Sequence, residues 1–146
     1  MKEISDTKIY AACREIAQRI KTRTPNNFSL VAVSRGGLVP TTIIAHWLGV
    51  KEIKFIRLSS YDDEQKQTKI TDTTTDKIAN EETTYIIDDI CDSGETVLFL
   101  RQKYSRAQIY TLINKNPNIQ PDFAPITESQ GVWINFPWEI EDRENI

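Results

Sequence analysis

Between Tyr85 and Thr96 the chain reads YIIDDICDSGET, which sets two adjacent carboxylates, Asp88 and Asp89, just ahead of a short turn rich in acidic, hydroxyl and glycine residues. Neighbouring carboxylates repel one another, so a fold that keeps both ionised supplies a partner: a divalent cation, or the paired hydroxyls of a ribose. In the turn that follows, Asp92-Ser93-Gly94-Glu95-Thr96, Gly94 can adopt φ > 0. Successive N–H groups backed by a helix N-terminus make an anion cradle, and Ser93 and Thr96 can add hydroxyl donors. These residue types suit a sugar and a phosphate. The plainer alternative is a strand-to-helix turn capped by Asp92 or Ser93, with no ligand.

A second segment of similar make-up, VAVSRGGLVP from Val31 to Pro40, runs from apolar residues into Ser34-Arg35-Gly36-Gly37. Taken by itself, a glycine pair beside one arginine also describes a tight turn with a surface Arg. Both segments need strands to position them. Tyr85, Ile86 and Ile87 form a short apolar run with β-branched residues, as in an interior parallel strand. Asp88 and Asp89 then fall at its carboxyl end, the edge where open α/β sheets bind ligands. Ile9, Ala12, Cys13, Ile16, Ala17 and Ile20 recur at helical spacing, which predicts a first helix capped by Ser5 or Asp6. Strands are expected at about 29–33, 53–58, 84–88 and 108–113, and helices at about 39–48 and 96–104, with Pro40 tolerated in a first turn. Strands alternating with helices predict an α/β fold, a mostly parallel twisted sheet flanked by helices, in one domain spanning 1–146.

Composition narrows the class. The 146 residues are 39% hydrophobic and 27% charged, as in a soluble globular domain, and no apolar run approaches a membrane span. The first 23 residues are amphipathic and charged, without the apolar core of a signal peptide, so a cytoplasmic protein is expected. Cys13 and Cys91 read as reduced thiols with neither disulfide nor metal spacing. A net charge of −3 argues against general nucleic-acid binding. The polar run 59–82 is too long for a passive connection, and is expected to be a flexible lid, disorder, or around 71–76 a solvated hairpin. Trp47 is expected on a buried helix face, with His46, the only histidine, structural beside it.

The stretch Thr84–Thr96 resembles the signature of the type I phosphoribosyltransferases for phosphoribosyl pyrophosphate (PRPP): four apolar residues, two acids, two variable residues, Asp or Thr, a hydroxyl residue, Gly, any residue and Thr. Every position of that pattern is filled. Further segments resemble the xanthine-guanine, purine-salvage branch: LSSYDDEQKQ from Leu58, IYTLINKNP with Lys115, Gly131-Val132-Trp133-Ile134, and Phe136-Pro137-Trp138-Glu139. The resemblance implies transfer of 5-phosphoribosyl from PRPP to a 6-oxopurine, with Mg²⁺ as cofactor. It places PRPP on Ser34, Arg35, Gly36, Gly37, Asp88, Asp89, Asp92, Ser93, Gly94, Glu95 and Thr96, with Lys66 and Lys69 from the lid. Asp88 and Asp89 would hold the ribose hydroxyls or metal-bound water, and Arg35 the leaving charge. Asp92 would be the general acid/base near purine N7, though a helix cap would look the same. The base would meet Lys115 at its 6-oxo group, stack on Trp133 and reach the backbone of Ile134, in a small C-terminal hood. Without that context Lys115 could be a surface residue, Trp133 core filling, and Phe136 and Trp138 packing or an oligomer contact. A homodimer or homotetramer is implied.

The sequence departs from the family pattern in three places. Glu95 puts a negative charge beside the phosphate cradle, the lid offers lysines where relatives carry an arginine, and Asn135 stands where an acid is expected. Lysine is the weaker bidentate partner for pyrophosphate. Two alternatives follow: a phosphoribosyltransferase for another base, or a regulator that keeps the fold as a PRPP sensor.

Overall fold

The structure, a computed structural model, describes residues 2–62, 68–140 and 143–145. Its elements in chain order are β1 (Lys2–Glu3), α1 (Asp6–Arg23), β2 (Ser29–Ser34), α2 (Leu38–Leu48), β3 (Lys54–Asp62), β4 (Thr68–Asp72), β5 (Thr84–Cys91), α3 (Glu95–Lys103), β6 (Gln108–Asn114), β7 (Ile126–Thr127) and β8 (Ile134–Asn135), followed by a 3₁₀ turn, Arg143–Asn145. A six-stranded sheet has the order β4-β3-β2-β5-β6-β7, with every pairing parallel except the β3–β4 edge hairpin. Ser5 caps α1, its hydroxyl oxygen accepting the Lys8 amide at 3.2 Å.

The central strands read as continuous apolar runs because both their faces are covered. Alternation sends Leu30, Tyr85, Ile87, Tyr110 and Leu112 to one face, where Ile9, Cys13, Ile16 and Ile20 of α1 and Ile44 and Ala45 of α2 pack on them. Val31, Val33, Ile56, Ile86 and Ile109 go to the other, under Val97 and Leu100 of α3. Cys13 is fully buried, and that burial pushes its thiol pKa up to about 12. The buried Tyr85 ring still satisfies its hydroxyl, which lies 2.5 Å from the Thr24 hydroxyl and accepts from Arg23 at 3.1 Å.

Four expectations need correction. The strand carrying Asp88 and Asp89 does not stop at them: β5 runs on to Cys91, because β6 continues the ladder through Ile90–Ile113 and Cys91–Asn114. The polar run after Leu58 is in part strand. β3 extends to Asp62 and returns as β4, paired from Leu58–Asp72 to Asp62–Thr68. The segment 71–76 is therefore not a hairpin of its own: Thr71 and Asp72 end β4, and the Thr73 amide donates to the Arg57 carbonyl at 2.9 Å. Trp47 is 55% exposed rather than core, under the Arg14 guanidinium 5.3 Å from its ring centroid.

A small second sheet closes the C-terminal side. β1 pairs in parallel with β8, Lys2 with Ile134 and Glu3 with Asn135. The Lys2 amide donates to the Trp133 carbonyl at 2.7 Å. In a parallel pair alternate residues turn their backbone groups to the neighbour. Trp133 and Asn135 therefore face β1, and the amide groups of Ile134 turn the other way.

Candidate active site

The chain goes from β2 to β3 on one side of the sheet and from β5 to β6 on the other, so the order reverses between β2 and β5. At such a switch point the loops leaving the carboxyl ends diverge and open a crevice. The register Ala32–Ile87 puts Ser34 level with Asp89 across that crevice. A cavity of about 870 Å³ lies there, lined by Ser34, Arg35, Gly36, Asp88, Asp89 and Thr96, with Trp133, Asn135, Trp138, Glu139 and Arg143 on the C-terminal side.

The turn after β2 is packed against the carboxylate pair. The Gly37 amide donates to the Val33 carbonyl at 2.8 Å, and the Leu38 amide to the Arg35 carbonyl at 3.1 Å. The Ser34–Arg35 peptide is cis. A Cβ on Gly36 would sit 2.6 to 2.8 Å from the Asp89 carboxyl group, and one on Gly37 would sit 2.3 Å from the Ile87 carbonyl. Both glycines are there because β5 leaves no room for a side chain. Arg35 is exposed at the cavity wall.

Asp88 Oδ1 accepts the Asp89 amide at 2.9 Å, and Asp89 Oδ1 accepts the Ile90 amide at 2.8 Å. Burial pushes the Asp88 carboxyl well above the usual carboxylate range, and the charge of Asp89 adds to this. Burial raises Asp89 as well, with Glu139 adding a smaller repulsion. Among the described residues no group of three or more His, Cys, Asp or Glu side chains converges as a metal cage. Two adjacent carboxylates on a cavity wall instead fit a hard dication that takes most of its oxygen ligands from a bound substrate.

The second turn starts α3 at Glu95, with Gly94 at the N-cap, φ 84° and no side-chain cap. A Cβ on Gly94 would meet Ile119 at 2.7 Å. Ser93 Oγ accepts the Glu95 amide at 3.3 Å, and a cavity of about 130 Å³ lies at the turn, lined in part by Asp92, Ser93, Gly94 and Thr96. Glu95 lines neither cavity, and at the helix start its charge meets the positive end of the dipole. Asp92 is not a cap. Its carboxylate turns to Lys115, Nζ to Oδ2 3.2 Å, with the Lys115 side chain 3% exposed and that of Asp92 50%.

The predicted base residues are only partly brought together. Trp133, 65% exposed, is not core filling and lines the large cavity with Asn135. Lys115 instead lines a separate cavity of about 540 Å³. The Ile134 side chain is core, leaving its backbone as the part that can meet a ligand. Phe136 is buried, and Trp138 stacks on it at 4.7 Å while lining the large cavity. Lys69 is exposed on β4, and Lys66 lies outside the described residues.

Sequence reasoning missed Asn116. It is buried, donates Nδ2 to the carbonyls of Asp92 at 3.0 Å and Ser93 at 3.1 Å, and accepts the Asn118 and Ile119 amides on Oδ1. Its place one residue past Lys115 was the available signal. Arg143, on the cavity wall, carried none.

A parallel sheet with a glycine turn, a carboxylate pair and an anion turn gathered at its switch point defines a phosphoribosyltransferase. The chain belongs to the phosphoribosyl transferase domain family, whose sequence pattern matches residues 1–145. It is 31% identical to the xanthine-guanine phosphoribosyltransferase of Idiomarina loihiensis over an alignment of 141 residues that covers 94% of this chain and 86% of that protein. The purine phosphoribosyltransferase of Pyrococcus horikoshii superposes with a TM-score of 0.79 at 23% identity, covering 95% of this chain and 94% of that one. The xanthine-guanine-hypoxanthine phosphoribosyltransferase of Helicobacter pylori gives 0.70 at 24%, covering 98% and 96%. At such identities the two structures establish the fold. No helix among the described residues is long and apolar enough to cross a membrane.

Proposed function

We propose that this protein is a cytoplasmic purine-salvage enzyme that transfers 5-phosphoribosyl from PRPP to guanine, xanthine or hypoxanthine, releasing pyrophosphate, with Mg²⁺ as cofactor. The observation that carries the reading is the single cavity in which Arg35 and Gly36 face Asp88 and Asp89, with the exposed indole of Trp133 on its wall. The similarity to xanthine-guanine phosphoribosyltransferase supports the choice of base.

Displacement of pyrophosphate from C1 of the ribose passes through an oxocarbenium-like sugar while charge builds on the leaving group. Catalysis therefore rests on charge placed where it develops. Asp88 and Asp89 hold the ribose hydroxyls or cation-bound water opposite the sugar's positive charge. When bound, Mg²⁺ supplies neutralisation of the leaving pyrophosphate charge. Arg35 and the amides of the 35–37 turn receive the pyrophosphate, and Ser93, Gly94, Glu95 and Thr96 surround the 5-phosphate through backbone amides and the two hydroxyls. Lys69, exposed on the β3–β4 hairpin, adds a cation, and the family resemblance gives Lys66 the same part. Ser59, Ser60 and Ile70 of that hairpin line the cavity, where closure excludes water.

Asp92 takes or returns a proton at purine N7, and Lys115 donates to the 6-oxo oxygen. In the free protein these two hold each other. An incoming 6-oxopurine replaces that contact with one bond to each. The test is product formation with Mg²⁺, PRPP and guanine, xanthine, hypoxanthine or adenine side by side. Turnover of 6-oxopurines but not adenine is expected; bound PRPP with no turnover of any base would move the reading to a sensor.

A further inference from the structure

On the wall that carries Trp133, the main chain leaves little free for a ligand. The Trp133 carbonyl accepts the Lys2 amide at 2.7 Å and the Asn135 carbonyl accepts the Ile4 amide at 3.4 Å, so the N-terminal segment takes both. The Ile134 backbone keeps one donor and one acceptor in fixed directions, whatever its side chain. Alternation sends the Ile134 side chain into the core and turns Trp133 and Asn135 to the cavity together, about 6.6 Å apart along the chain. The Asn135 carboxamide has no hydrogen-bond partner among the described residues. Glu139 on the same wall is instead turned to the Phe136 amide, which it accepts at 3.1 Å.

On the proposed transfer, on which this inference rests, Asp92 and Lys115 hold purine N7 and the 6-oxo oxygen. C2 lies at the far end of the six-membered ring from N7, so a base held in that way and stacked on Trp133 turns its 2-position away from Asp92. What stands at C2 separates the three bases. Guanine carries an amino group, which donates; xanthine carries an oxygen, which accepts; hypoxanthine carries only hydrogen. A carboxamide has an acceptor oxygen and a donor nitrogen, and half a turn about its last bond exchanges them. A carboxylate in the same place could only accept.

We propose that the Asn135 side chain is the specificity-determining group for the 2-substituent. It takes guanine through its oxygen and xanthine through its amide nitrogen, so the two are used with similar efficiency and both ahead of hypoxanthine.

The test is kcat/KM of the full chain for guanine, xanthine and hypoxanthine with Mg²⁺ and PRPP, in wild type, Asn135→Asp and Asn135→Leu, with circular dichroism as the control for folding. Ratios between bases are compared, because a general loss of activity cancels in them. Wild type should use guanine and xanthine within about 5-fold of each other. Asn135→Asp should lower the xanthine-to-guanine ratio about 30-fold, since an acceptor then faces an acceptor. Asn135→Leu should lower the guanine-to-hypoxanthine and xanthine-to-hypoxanthine ratios about 10-fold each, as for one lost hydrogen bond. Should one variant fail to fold, the other carries the test. Ratios within about twofold of wild type in a folded variant, or a wild type that prefers guanine or xanthine over the other by about 100-fold, would overturn the assignment while the transfer reading stands. A wild type that turns over none of the three would overturn that reading, and this assignment with it.

Discussion

Replacing Gly37 with alanine should damage the fold, while the same change at Gly36 should damage the chemistry. A carbon–oxygen contact rests at about 3.3 Å or more. The Gly37 Cβ would sit 2.3 Å from the Ile87 carbonyl and 2.8 Å from that of Val33, about 1 Å too close to the first. Both neighbours are backbone of paired central strands, so relief requires β2 and β5 to part. Overpacking of this kind costs about 1–3 kcal/mol, and with backbone on both sides the upper end applies. About 3 kcal/mol is a loss of roughly 150-fold in the folding equilibrium and roughly 10 °C in Tm for a domain of this size. At Gly36 the neighbour is the carboxyl end of the Asp89 side chain, which can rotate aside for about 1 kcal/mol. Moving that carboxylate by 1 Å should nonetheless lower kcat about 100-fold. Urea unfolding and initial rates on both variants decide the matter. Gly37→Ala within about 0.5 kcal/mol of wild type, or Gly36→Ala with full activity, would refute the close-approach argument.

Asp88→Asn together with Asp89→Asn should abolish PRPP-dependent turnover and raise Tm at neutral pH. Because burial raises both pKa values, the native state binds more protons than the unfolded chain from about pH 4 up to the raised values. Stability therefore falls as pH rises through that window, and the double variant should flatten the fall in a pH series of melts. Lys115→Ala should raise KM for the purine far more than for PRPP; an equal rise in both would reject its role at the 6-oxo group. Asn116→Ala should cost about 2–3 kcal/mol in urea unfolding, because it strands the Ser93 carbonyl and the amides of Asn118 and Ile119 and leaves the Asp92 carbonyl only the Gln130 amide at 3.4 Å.

Much of this was legible because local chemistry decides it. The apolar period of α1 and the runs of β2 and β5 each name an element, and the glycine-containing turns mark where α2 and α3 begin, without reference to the rest of the chain. Long-range partners were less visible. Two acids argue against a strand, yet β5 passes through Asp88 and Asp89 because β6 pairs beyond them. The register Cys91–Asn114 sets Asp92 level with Lys115, and two polar residues leaving adjacent parallel strands in step could have been matched from the sequence. The β3–β4 hairpin lay in a stretch too polar to show a buried face. Trp47 sat at helical spacing beside core residues, but which face of a helix is covered depends on what packs against it. The β1–β8 pairs are too short to leave a period.

That last joint orders events in the making of the molecule. On the proposed function the phosphate side uses segments 34–37 and 88–96, which can dock as soon as β2 and β5 have paired. The base side is fastened by Lys2, Glu3 and Ile4 to the residues 133–135, a closure that spans nearly all of the chain and carries a correspondingly large loop entropy. On the proposed function, the grip on the sugar and its phosphates can therefore be complete during synthesis while the wall assigned to the base is still missing. On the same reading, an extension fused ahead of Lys2 would act on purine choice before it touched the hold on PRPP.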